Sequence, residues 1–242
     1  MSTAAIPVHV ALVDASGTVA ASELAEVAGA LNEQVQADIA PAWTVAATVG
    51  AYPEAPAGTW RIELHETIEE ENAAGFHAND RGQPYAMVAM SAGDWTVTAS
   101  HELVEMIVDP FGSRLHTAAA LEGWNGDSDR VRYLMEPADP CEETHYEVGG
   151  VTVSDFVLPS FYRSSPRGSL AAYSHTGAIT EPLQILDGGY ISYLDPVSES
   201  MWQRFVVEGR NVDKELEPPA GRILNLREFF DEQARAFRSK TS

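Results

Sequence analysis

The residues Ser100-His101-Glu102-Leu103-Val104-Glu105 spell a HExxE motif. On an α-helix each residue turns about 100°, so positions four apart stand on one face, one turn from each other. His101 and Glu105 are therefore placed to hold one ion between an imidazole nitrogen and a carboxylate oxygen. Asp109 falls a further turn along the same stripe. Glu102 lies about 100° round from His101, beside the ion, where a general base takes a proton from a metal-activated water. The neighbouring Leu103, Val104, Met106, Ile107 and Val108 are apolar. A helix apolar on all but one stripe is buried, and a histidine with three carboxylates along a buried stripe is costly without a cation. The pattern predicts a metal and a base.

The helix ends at Asp109-Pro110, and a second acidic segment, Glu136-Pro137-Ala138-Asp139-Pro140-Cys141, follows downstream. Together SHELVEMIVDP and this Glu-x-x-Asp-x-Cys run resemble the zincin-like metallopeptidases, and more narrowly a bacterial and fungal group with a HExxE helix ending in Asp-Pro. The resemblance covers roughly residues 5–160. It implies an α+β fold, a zincin-like twisted mixed sheet leading into an active-site helix; the shorter, more irregular signals after Pro110 read as an irregular β-rich C-terminal part. The resemblance also implies zinc, a peptide or protein substrate, and peptide hydrolysis. In that family the edge strand before the helix binds an extended substrate through its backbone, a place Tyr85–Met90 would occupy. The third ligand is expected from Glu136 or Asp139, with Asp109 next.

One departure matters. Glu105 stands where the usual zinc helix carries a second histidine, so the site is harder and more anionic. Manganese, iron and calcium then become compatible alongside zinc. Two further residues are candidates for the substrate cleft. His77, in Gly75-Phe76-His77, would line it, although a loop histidine without a role reads equally well. Phe161 would help wall a specificity pocket, against the plain reading of core. Cys141 sits among Asp139, Glu142 and Glu143, which disfavour a thiolate, so it reads as a small buried group.

The elements that must position these residues follow from periodicity. Pro7–Asp14 reads as a buried strand, and a helix runs from an N-cap at Ser22 through Leu24, Val27, Ala28, Leu31, Val35 and Ile39, with Pro41 just beyond its end. Trp43–Val49, Thr59–His65 and Tyr85–Met90 read as strands, separated before the last by a polar loop, Glu69–Gln83. The HExxE helix spans about Thr96–Val108, stopped by proline. The chain divides into an N-terminal subdomain, 1–110, carrying this helix, and a C-terminal subdomain, 111–242, completing the metal site and cleft. The second part has strands at Val131–Met135 and Val148–Phe156, a hairpin of Tyr190–Tyr193 and Trp202–Glu208, and a closing amphipathic helix, Leu226–Arg238.

Composition bounds the alternatives. The 242 residues carry a formal charge of −21, with 36 acidic against 15 basic residues. That field repels phosphate backbones and anionic lipid, which argues against nucleic-acid and membrane partners. A single cysteine excludes an internal disulfide, and no basic n-region with a long apolar stretch opens the chain, so the expected location is cytoplasmic. A non-catalytic zincin-like module, or an acidic protein that binds a basic partner, is the alternative to an enzyme.

Overall fold

The computed structural model describes residues 7–68, 73–124, 126, 128–163, 172–216 and 226–241. In chain order the elements are β1 (Val8–Asp14), α1 (Ala21–Gln34) running through a π-helical stretch (Val35–Ile39) into α2 (Ala40–Trp43), β2 (Ala47–Tyr52), β3 (Trp60–His65), β4 (Gly75–Asp80), β5 (Gln83–Ala89), α3 (Trp95–Val108), β6 (Leu115–Ala119), β7 (Arg130–Leu134), β8 (His145–Val148), β9 (Val151–Ser154), β10 (Tyr190–Leu194), β11 (Met201–Val207), β12 (Arg210–Leu216) and α4 (Leu226–Thr241). The mixed α+β class expected from the sequence is what the chain forms, with three sheets among the described residues. Among the described residues no helix is long and apolar enough to cross a membrane.

The chain forms two compact units: the first runs to Phe111 and takes in His145–Ser154, and the second is Gly112–Thr144 with Asp155–Ser242. The division expected at residue 110 thus gains an exchange, because the β8–β9 hairpin belongs to the first unit.

In the first unit a five-stranded mixed sheet has the order β2-β1-β3-β5-β4. β1 pairs in parallel with β2 and β3, and β3 with β5, while β4 runs antiparallel to β5. Val10, Leu12, Ile62, Leu64, Ala86 and Val88 are buried on these strands, and Leu31, Val35 and Ile39 on the first helical run. The alternation of β3 and β5 follows the two-residue period of a strand, one face inward and one half-exposed.

Two expectations of the sequence are corrected here. Pro41 does not stop the first helix; it lies inside the helical run, at the start of α2. The π-helical turn before it widens the backbone, so a ring that lacks an N–H and crowds the preceding turn is tolerated. The run ends instead at Trp43, with Thr44 left-handed at φ 57°, which delays β2 to Ala47. The second correction is β4. Of the loop expected at 69–83, residues 69–72 lie outside the described residues, and 75–80 form a strand. Arg81 (φ 52°) and Gly82 (φ 83°) make a two-residue turn with both φ positive, the type I′ geometry that matches strand twist.

The second unit is an antiparallel sheet in the order β12-β11-β10-β7-β6. The amphipathic tail packs on it: Phe229 and Phe230 join Leu134, Met201 and Leu216, while Ala234 meets Tyr190 and Phe205. Inside the sheet, Arg204 forms a two-pronged ion pair with Asp213 at 2.6 and 2.7 Å and donates to the Glu122 carbonyl at 2.7 Å. A buried guanidinium is tolerable because its donors are met this way.

Candidate metal centre

Helix α3 carries the site, and its placement is over-determined. The Asp94 carboxylate caps its N-terminus, accepting from the Thr96 N–H at 3.2 Å and from the Thr96 hydroxyl at 2.8 Å. At the other end the Asp109 N–H donates to the Glu105 carbonyl at 2.7 Å before Pro110 closes the helix. Between these caps the helix is tied sideways. Ser100 Oγ donates to Gln34 Oε1 at 2.9 Å and accepts from Ser154 N at 3.0 Å, and Gln34 Nε2 donates to the Ser154 carbonyl at 3.1 Å. This closed triangle joins α1, α3 and β9. The serine ahead of the motif therefore has a job of its own: it pins the helix that carries the motif.

Leu103, Val104 and Met106 are fully buried, so the helix turns its motif inward as expected. Glu102 and Glu105 are 6% and 4% exposed, and His101 is only partly covered. The His101 Nε2 to Glu105 Oε1 distance is 3.4 Å, which brings the expected ligand pair together on one face. Asp109 is buried at the C-cap, and it adds no atom to the cluster described next.

That cluster contains a residue the motif does not predict. His77, on β4, is buried and places Nδ1 at 2.8 Å from Glu102 Oε2 and 3.8 Å from Glu105 Oε2. Ligand-type atoms of His77, Glu102 and Glu105 all lie within 4.8 Å of one another. His77 therefore belongs to the motif's own surroundings, through a strand that the sequence reading leaves as loop. The signal that could have found it is the Asp80-Arg81-Gly82-Gln83 turn, which folds Gly75–Asp80 back along β5.

Tyr85 requires the opposite correction. β5 is an interior strand, paired with β3 on one side and β4 on the other, so its backbone is not free to take an added strand. The edge is β4. Because His77 is paired with Ala86 and Tyr85 with Ala78, alternation puts the tyrosine on the sheet face away from His77. There its ring lies 4.8 Å from the Arg61 guanidinium and edge-on to Phe76 at 6.1 Å.

The downstream candidates lie in the second unit. Glu136 and Asp139 are 4% and 3% exposed. Asp139 opens a short 3-10 turn that also buries Cys141. Gly189 matters to this segment: a side chain there would sit 2.7 Å from the Pro140 carbonyl oxygen and 2.8 Å from that of Asp139, so only glycine lets these backbones approach. Phe161 is fully buried, edge-on to Tyr162 at 4.9 Å, the position of a core residue.

The donor chemistry of the first-unit cluster suits a divalent ion. Imidazole nitrogen with carboxylate oxygen is the ligand mixture that zinc, manganese and iron take. Two carboxylates this deeply buried call for compensating positive charge, from an ion or from protonated histidine. No protein-family model, no curated protein and no solved structure matches this chain.

Proposed function

We propose that this protein is a metal-dependent hydrolase, a zincin-like peptidase in which His101 and Glu105 hold the ion and Glu102 is the general base. One observation carries the reading. His101 Nε2 and Glu105 Oε1 stand 3.4 Å apart on one face of α3, and the buried Glu102 brings a carboxylate oxygen within 4.8 Å of Glu105. Zinc is the favoured ion, and manganese, iron and calcium suit the carboxylate-rich set. When bound, the ion supplies Lewis acidity toward a scissile carbonyl and toward water. The protein's own residues supply the rest. Glu102 accepts the proton from water and returns it to the leaving amine, and the helix caps hold its Cα in place.

The proposed substrate is a peptide or protein, on the resemblance of SHELVEMIVDP and on a mixed sheet that precedes the helix. The charge of −21 goes with this, disfavouring nucleic acid and anionic membrane as targets.

The test is Glu102→Gln, assayed on a peptide library with zinc, manganese or cobalt. The variant keeps its metal content and loses turnover by at least 100-fold, the usual scale of a missing general base. Turnover equal to wild type would remove Glu102 from the mechanism.

A second reading rests on the 2.8 Å contact of His77 with Glu102. A histidine and a carboxylate so placed form a charge network that staples α3 to β4, as in a non-catalytic module. Under that reading no peptide is cleaved with any of the three metals.

A further inference from the structure

The two histidines at the cluster divide the two glutamates between them. His77 Nδ1 is 2.8 Å from Glu102 and 3.8 Å from Glu105. The first distance is a hydrogen bond and the second is too long for one. His101 faces Glu105 instead, at 3.4 Å. Each carboxylate therefore has its own imidazole, and the base is the one held from the strand.

Strand β4 seats Glu102 on both of its oxygens. His77 meets Oε2, with its side chain 1% exposed, so the ring cannot swing out to solvent. Two residues earlier on the same face, Gly75 has no side chain, and a Cβ there would come within 3.0 Å of Glu102 Oε1 and 2.7 Å of Thr98 Cγ2. One residue thus holds the carboxylate and another leaves room for it. The strand itself is fixed by the register His77↔Ala86 and by the Arg81-Gly82 turn.

We propose that His77 is a positioning residue, which fixes the orientation of the Glu102 carboxylate from the edge strand while His101 and Glu105 hold the ion. This rests on the reading of Glu102 as base. A glutamate has several side-chain torsions, and a base works only when its oxygen lies within hydrogen-bond reach of the proton it takes. A partner outside the ligand set that restricts those torsions sustains activity without contributing to the ion's ligands.

The test compares His77→Ala, His77→Asn and His77→Gln. The amide nitrogen of asparagine falls where Nδ1 stands, whereas that of glutamine reaches toward Nε2. Expected is wild-type metal content in all three, with kcat down about 10–100-fold in the Ala and Gln variants and unchanged KM. Asparagine restores most of kcat. In parallel, protein labelled with ¹³C at the glutamate carboxyl reports on Glu102, assigned through Glu102→Gln. Its signal moves in the Ala and Gln variants and returns in Asn. Loss of the ion from His77→Ala would make His77 a ligand and overturn the proposal, as would three indistinguishable carboxyl signals. If the signal pattern holds but wild-type protein cleaves nothing, the peptidase reading falls and the seating of Glu102 stands. Turnover with no such pattern does the reverse.

Discussion

At the scale of single residues, the cluster is built by what Gly75 lacks as much as by what His77 carries. A methyl at position 75 meets Thr98 Cγ2 at 2.7 Å, Glu102 Oε1 at 3.0 Å and the Met87 carbonyl oxygen at 3.1 Å. Thr98 is β-branched and on a helix, so it cannot turn aside cheaply. Replacing glycine within a strand by alanine gains about 0.5–1 kcal/mol of backbone entropy, while overpacking costs about 1–3 kcal/mol. The clash wins, and Gly75→Ala is expected to lower stability by about 1–2 kcal/mol, read as a lower urea midpoint with an unchanged slope. A Thr98→Ser companion, which removes Cγ2, recovers part of the loss. A variant as stable as wild type would show that the Glu102 seat is not close-packed. Of this cluster, His101, Glu102 and Glu105 were legible from four-residue spacing alone. His77 was legible only as a candidate for the substrate cleft; its link to Glu102 was not, because it spans 25 positions and depends on the pairing of two strands.

At the scale of elements, the connection from β1 to α1 shows how a short acidic turn is held. Asp14 Oδ1 accepts from the Ser16 and Gly17 N–H groups and from the Ser16 hydroxyl, and Oδ2 accepts from Val19 N at 2.8 Å. Partial burial pushes its carboxyl upward, but the Ser16 hydroxyl and the Val19, Gly17 and Ser16 amides outweigh it and hold it below 3.8. A carboxyl lowered on folding stabilises fully above its unfolded value and loses that contribution as pH falls through the folded value. Asp14→Asn is therefore expected to cost about 1 kcal/mol near neutral pH, since Nδ2 confronts the Val19 N–H. The gap in Tm between wild type and variant narrows as pH drops below 3.8. A gap that stays constant through that range would contradict the role given to the carboxylate. Most elements of the first unit were legible because each is a run with one pattern, continuous and apolar in β1, alternating in β3 and helical in α3. The end of the first helix was not, because a proline that ordinarily closes a helix is accommodated here by the π-helical stretch. β4 was missed for a related reason: its Asn79 and Asp80 are loop-type residues, and its strand character comes from pairing with β5.

At the scale of the whole molecule, the two units differ in how far the chain discloses them. The first is wound mostly from parallel neighbours, with the α1–α2 run between β1 and β2 and α3 after β5, a pattern visible in order of sequence. In the second, β7 pairs with β10 through Tyr133↔Tyr193, and no local signal announces a partner so distant. The tail helix was legible by its phenylalanines, which the sheet of the second unit then buries. Across both units, 36 acidic residues against 15 basic ones give a field that draws divalent cations in and keeps polyanions away. An ion bound only by the folded state adds stability by mass action, about 2.7 kcal/mol at 100 times Kd.

The direct measurement is the metal content of the purified protein, by elemental analysis after equilibration with zinc, manganese or cobalt, together with its Tm before and after chelation. A stoichiometric divalent ion is expected, lost from His101→Ala and weakened in Glu105→Gln. Removing it should lower Tm by about 5–10 °C, the shift that 2.7 kcal/mol gives in a chain of this size. Wild-type protein that takes up no ion from any of the three metals, with a Tm indifferent to chelator, would contradict the account.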